Sequence, residues 1–221
     1  MFGRTVLSGL LATLVLGATA PAGASVIFSD SFEQPENTQN WQVYRDFGAW
    51  STTQGAGIEV QTNGTIPFID AYHGEQYVEL DSDTDRGGSE GLSTNSSMTR
   101  EINLTAGRYE VMFQYFPRTN GEGDNAINVF LDGESESLET NPIGSVTGIE
   151  SDWAGWTETR FRFDVDGTDN LYALTFAAGG EANELGGFVD QVRLVRVPAP
   201  ATLALLGASL LGLGLASRRR R

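Results

Sequence analysis

Glu79 and Asp81 lie two residues apart in Gly74-Glu-Gln-Tyr-Val-Glu-Leu-Asp81, so an extended strand projects both to one side. Paired carboxylates hydrolyse glycosides when suitably spaced. A chain with 29 acids produces such pairs by chance, so Glu79 reads as a ligand-binding acid and no residue as catalytic. Arg118 closes Tyr115-Phe-Pro-Arg118 and enters a polar loop. Its guanidinium fork suits a sugar or a uronate carboxylate, and equally a neighbouring acid. Flat aromatic rings flanked by polar groups suit the C–H faces of sugars. Trp50, before Ser51-Thr-Thr-Gln-Gly55, and Trp153, in Ser151-Asp-Trp-Ala-Gly155, have loop-like surroundings and are the stacking candidates. Trp41 is expected in the core, and Trp156 could face either way. Asp81-Ser-Asp-Thr-Asp85 alternates acids as an EF-hand loop does, but Arg86 and Leu92 stand where glycine and glutamate are needed, leaving a solvated acidic loop. His73 is the only histidine and there is no cysteine, so zinc sites and Cys/His catalysis have almost nothing to use.

The elements that must position these residues are strands. Apolar residues alternate at Tyr109, Val111, Phe113, Tyr115, at Ile127, Val129, Leu131, at Phe161, Phe163, Val165, at Tyr172, Leu174, Phe176, and over Phe188–Val195. Fainter strands fall at Val26–Phe28, Trp41–Arg45, Ile58–Gln61, Gln76–Leu80 and Met98–Asn103. Period-two patterns parted by turn residues, Asp132-Gly133 and Asp166-Gly167 among them, predict an all-β sandwich or barrel of about ten strands. The polar stretches Asp81–Asn95 and Pro117–Asp124 are the expected rims.

Both ends of the chain are hydrophobic. Met1-Phe-Gly-Arg4, an apolar run from Val6 to Leu16 and the small residues up to Ala24 form a secretory signal peptide over residues 1–24. Residues 25–196 form one domain, large enough for a core without disulfides. The net charge is −15, and five of the 14 arginines lie outside that domain while all the acids lie in it. Nucleic acid and anionic membrane surfaces are thereby unsuitable partners of the domain. The tail, residues 197–221, joins Val197, Pro198, Ala199 and Pro200 to an apolar stretch and then to Arg218, Arg219, Arg220 and Arg221. A transmembrane helix over 201–217 nearly crosses a core of ~30 Å at ~1.5 Å per residue, with the arginines on the cytoplasmic side. This layout resembles the PEP-CTERM sorting signal, with Ala199 where the family has glutamate. The resemblance implies recognition by an exosortase after export through the inner membrane of a Gram-negative bacterium. It further implies transient membrane anchoring and delivery to the cell surface or extracellular matrix.

The body carries a second resemblance. Ser31-Phe-Glu33 with Trp41, then Gly74–Asp81, then Gly107-Arg-Tyr-Glu-Val-Met-Phe-Gln-Tyr115, then Gly187-Phe-Val-Asp-Gln-Val-Arg-Leu194 resemble, in that order, galactose-binding-like jelly rolls, including many carbohydrate-binding modules. This implies a single jelly-roll β-sandwich of two antiparallel sheets, with the first and last strands as neighbours. It also implies a structural Ca²⁺ at Glu33 and Asp190, with backbone carbonyls completing its shell. The function expected is non-catalytic binding of an extracellular polysaccharide or glycan. The alternatives are a structural or adhesive matrix protein without a defined sugar ligand and, less favoured, a small secreted glycoside hydrolase.

Overall fold

The computed structural model describes residues 23–85, 90–121, 123–133, 142–152 and 155–198. Nearly all of the expected leader, the tail from Ala199 onward with its helix and arginines, and Trp153 lie outside the described residues. Among the described residues no helix is long and apolar enough to cross a membrane.

The described chain is all-β, with its strands in two antiparallel sheets. The larger sheet runs β11 (Thr157–Val165), β8 (Gly107–Pro117), β13 (Gly187–Val197), β6 (Gln76–Glu79), β5 (Ile58–Thr62), β2 (Trp41–Tyr44). The first strand, β1 (Ser25–Asp30), pairs with β13, so the first and last strands are neighbours as expected. The smaller sheet runs β10 (Gly144–Val146), β9 (Ala126–Gly133), β12 (Leu171–Gly179), β7 (Ser97–Asn103), β4 (Trp50–Ser51), β3 (Asp46–Phe47). All ten strands expected from alternation are present. The additional β3, β4 and β10 are two or three residues long, too short to show a period. Asp132 and Gly133, expected as a turn, instead end β9 opposite Ala173 and Tyr172.

The core lies between the sheets, and alternation builds it. Tyr109, Val111, Phe113 and Tyr115 of β8 point inward with Ile58, Val60, Val78, Leu80, Leu174 and Phe176. Trp50 is 2% exposed, with its ring about a van der Waals layer from Phe28, Phe32 and Phe176 at centroid distances of 6.0, 6.1 and 5.8 Å. Its indole N–H donates to Asp30 at 3.0 Å. Trp50 is therefore a core residue and not the surface stacking platform its polar neighbours suggested.

β8, β13, β6 and β5 are also covered on the outer face. The segment 63–75 folds over it and packs Ile66, Ile69 and Ala71 on Tyr77, Phe116, Phe188 and Trp156. The Trp156 indole N–H donates to the Asp70 carbonyl at 2.8 Å and pins this cover. Beyond its edge the same face turns polar, with Glu59, Gln61 and Glu79. At the other end β13 continues through Val197, opposite Arg108. The first residue of the expected sorting motif thus still belongs to the sandwich, and Pro198, which has no N–H to donate, follows the last rung.

Candidate functional site

Two carboxylate centres sit on the covered face of the large sheet. The first joins Glu33 and Asp190, which the structure brings close enough for the Glu33 charge to act on Asp190. Asp190 stands where β13 bulges, its pairing shifting between Asp190 and Arg193 with Gln191 at φ 45°. There β13 exchanges β6 for β1 as its neighbour. The Asp190 carboxylate accepts the His73 N–H at 2.9 Å and the Gln191 N–H at 2.5 Å. Glu33 accepts the Glu75 N–H at 3.1 Å and the Gln76 N–H at 3.0 Å. Gly74, at φ +82°, lets the Glu33 carboxylate lie against the chain, where any Cβ would overlap it. Burial, then the Glu33 charge against the pull of the amides, pushes Asp190 up to about 7. Neither acid has an arginine partner among the described residues.

The second centre is the floor of a cleft. Glu59 and Glu79 face each other directly across the β5–β6 ladder and are 4% and 0% exposed. Like charges in that position repel, and the chain bridges them. The Gln61 Nε2 donates to Glu59 Oε1 and Glu79 Oε2, both at 2.7 Å. The Arg118 Nη1 donates to both oxygens of Glu79 at 2.7 and 2.6 Å and to the Glu184 carbonyl at 2.9 Å. The Gly186 N–H reaches Glu79 at 2.6 Å, and the Asp83 N–H reaches Glu59 at 2.8 Å. Burial pushes both carboxyls above the usual range, Glu79 furthest, and the Glu59 charge adds to the rise at Glu79. Gln61 is 1% exposed, and its Oε1 accepts no hydrogen bond.

Above this floor opens a cleft of about 330 Å³, within the small-ligand range that begins near ~300 Å³. Trp41, Thr65, Ile66, Asp83, Glu184 and Leu185 form its walls over Glu59, Gln61 and Arg118. Asp81 shapes one wall. It is fully buried and accepts the Asn183 and Leu185 N–H groups at 3.2 and 3.1 Å. This corrects its reading as part of a solvated loop.

Of the ligand residues expected from sequence, Arg118 lines the cleft, and Glu79 lies beneath it as the Arg118 partner. Trp50 lies in the core, and Trp153 is outside the described residues. Trp41, expected in the core, is half-buried at the cleft, because it pairs with Gln61 in the β2–β5 register and so shares its face. Glu59, Gln61, Asp83 and Glu184 escaped sequence reasoning. Alternation in Ile58-Glu-Val-Gln61 shows that Glu59 and Gln61 share a face, but not that this face is covered.

No family model matches this chain, and no curated protein matches it. Solved structures with a similar fold include the Stig cyclase Fisc from Fischerella sp. TAU, 15% identical, covering 80% of this chain and 100% of that one, TM-score 0.53. The K2 cleaved adhesin domain of Lys-gingipain is 15% identical, covering 76% and 96%, TM-score 0.50. TmCBM61, solved with β-1,4-galactotriose, is 24% identical, covering 76% and 94%, TM-score 0.43. At these identities the cyclase and the adhesin domain show a likeness of fold alone.

Proposed function

We propose that this chain is an exported glycan-binding protein of the cell surface or extracellular matrix, acting without catalysis through the cleft above Glu59, Gln61 and Arg118. One observation carries the reading. The cleft joins an indole, Trp41, and the aliphatic Ile66 and Leu185 to convergent carboxylate and carboxamide groups, the mixture that a sugar ring with one apolar face and a polar rim requires. A binding role suits the floor acids better than hydrolysis. Glu79 is fully buried beneath its Arg118 partner and does not line the cleft, so the floor does not present two carboxyl groups to a bound sugar. The acid and base that hydrolysis needs on either side of a glycosidic bond are thus not both present at the cleft floor.

A glycan array followed by calorimetry on the best hit tests this. Trp41→Ala removes a stacking surface of about 1.5–3 kcal/mol, a loss of roughly 10–100-fold in affinity, in a domain that stays folded at the assay temperature. Trp50→Ala instead destabilises the fold by about 3–5 kcal/mol through its cavity, and loses binding only as it unfolds. Full binding by Trp41→Ala would remove the cleft from the account.

Ca²⁺ fits beside Glu33 and Asp190 in charge, since no cation of the described chain offsets the pair. The amides occupy only part of a carboxylate's capacity of about four acceptor positions. Among the described residues no group of three or more His, Cys, Asp or Glu is placed to hold a metal, so carbonyls and water would complete the shell. The sign of the pH effect follows from Asp190. Its carboxyl is raised to about 7 in the fold, so its stabilising contribution is full below the unfolded value of ~3.9 and is lost as pH rises through about 7. Bound Ca²⁺ would offset that loss. Melts in Ca²⁺ and in EDTA should therefore separate near pH ~8 and converge near pH ~5, where the proton competes with the metal. Superimposed curves at the higher pH would dismiss the metal.

The PEP-CTERM-like tail supports release by an exosortase. Intact-mass analysis of surface protein should then find chains ending near Pro198–Thr202. Mature protein still carrying Arg218–Arg221 would instead make the tail a permanent anchor.

A further inference from the structure

Resting on the glycan-binding reading above, we propose that the cleft selects a basic amino sugar, a hexosamine unit whose free ammonium points to the Gln61 side of the floor. The first observation is the Gln61 carboxamide. Its Nε2 is spent on Glu59 and Glu79, and its buried Oε1 accepts nothing. A buried acceptor left without a donor costs about 1–3 kcal/mol. A ligand donor entering from the cleft that Gln61 lines removes that cost.

Charge is the second and independent observation. Among the described residues, Glu59, Asp83 and Glu184 line the cleft against a single cation, Arg118. The Arg118 charge is already met by Glu79 at 2.6 Å. Asp83 and Glu184, half-buried on the rim, are accessible enough to meet a ligand. A uronate, which matches the Arg118 fork, would bring a carboxylate toward surplus negative charge. An ammonium brings three donors and a positive charge on a ring large enough to rest on Trp41.

The test is calorimetry of the mature domain with glucosamine oligomers, N-acetylglucosamine oligomers and galacturonate oligomers, at low and high salt. It is run at pH ~6, below the usual range of an amine of this kind, so that the amine is charged. The glucosamine oligomer should bind at least ~10-fold more tightly than its acetylated counterpart, with the gap closing at high salt. Galacturonate should not bind. The double variant Asp83→Asn, Glu184→Gln keeps a side-chain oxygen to accept the Asp85 N–H and the Thr84 hydroxyl, as the acids do now. It should bring the amine and acetylated oligomers to the same affinity and remove the salt dependence of amine binding. Equal binding of amine and acetylated forms, a preference for uronate, or amine binding that survives the double variant would overturn this inference. Trp41-dependent binding of a neutral sugar would still stand in those cases. Absence of binding by every glycan would overturn the glycan reading as well.

Discussion

The placement of two carboxylates opposite each other on a covered sheet face is the constraint from which the rest of this molecule's outer face follows. Glu59 and Glu79 are too buried for water to screen them, and two bare charges there would be expelled or neutralised. The chain resolves this with one carboxamide, one guanidinium and two backbone amides. Each donor is drawn from a different part of the chain: Gln61 from β5, Arg118 from the end of β8, Gly186 from the approach to β13, and Asp83 from the loop after β6. Satisfying the charges therefore fixes the loops, and the fixed loops make the cleft. Removing one partner of such a buried pair destabilises by about 3–5 kcal/mol, whereas replacing the whole set by well-packed apolar groups is often neutral or stabilising. The network thus specifies geometry more than it adds stability.

The same device appears at the Glu33–Asp190 centre. There the carboxylates gather amides of residues 73, 75, 76 and 191. They hold the cover segment to the end of β1 and the β13 bulge. A chain without cysteine or lysine has neither disulfides nor ammonium groups to fasten its loops. Buried acids on backbone N–H groups take that role at both centres, and at Asp81 as well. The acidity of the chain, which reads in the sequence as a matter of solubility, is in part internal architecture.

Sequence legibility followed element length. Long strands such as β8 and β12 show their period over many residues, so the sandwich and its inward faces were readable. Trp50 was misplaced because β4 is two residues long and its polar neighbours, Ser51 to Gln54, imitate a loop. Trp41 was misplaced because its side depends on the register against Gln61, which one strand cannot reveal. Asp81 read as solvated because an acid-rich stretch gives no sign of which carboxylate turns inward to accept amides. The pairing of Glu59 with Glu79 required knowing that β5 and β6 are neighbours, and the cleft required knowing where the 63–75 cover stops. Each of these is a long-range fact, absent from local composition.

Ligand entering the cleft passes over Trp41 and meets Gln61 under the proposed function. Two-dimensional NMR of the mature domain reads this directly, with the four indole N–H groups and the Gln61 carboxamide assigned and a glucosamine oligomer titrated in. The Trp41 indole and the Gln61 carboxamide should shift together and saturate with a common affinity, while the Trp50 indole, held by Asp30 in the core, stays still. Saturable binding that moves neither Trp41 nor Gln61 would contradict it.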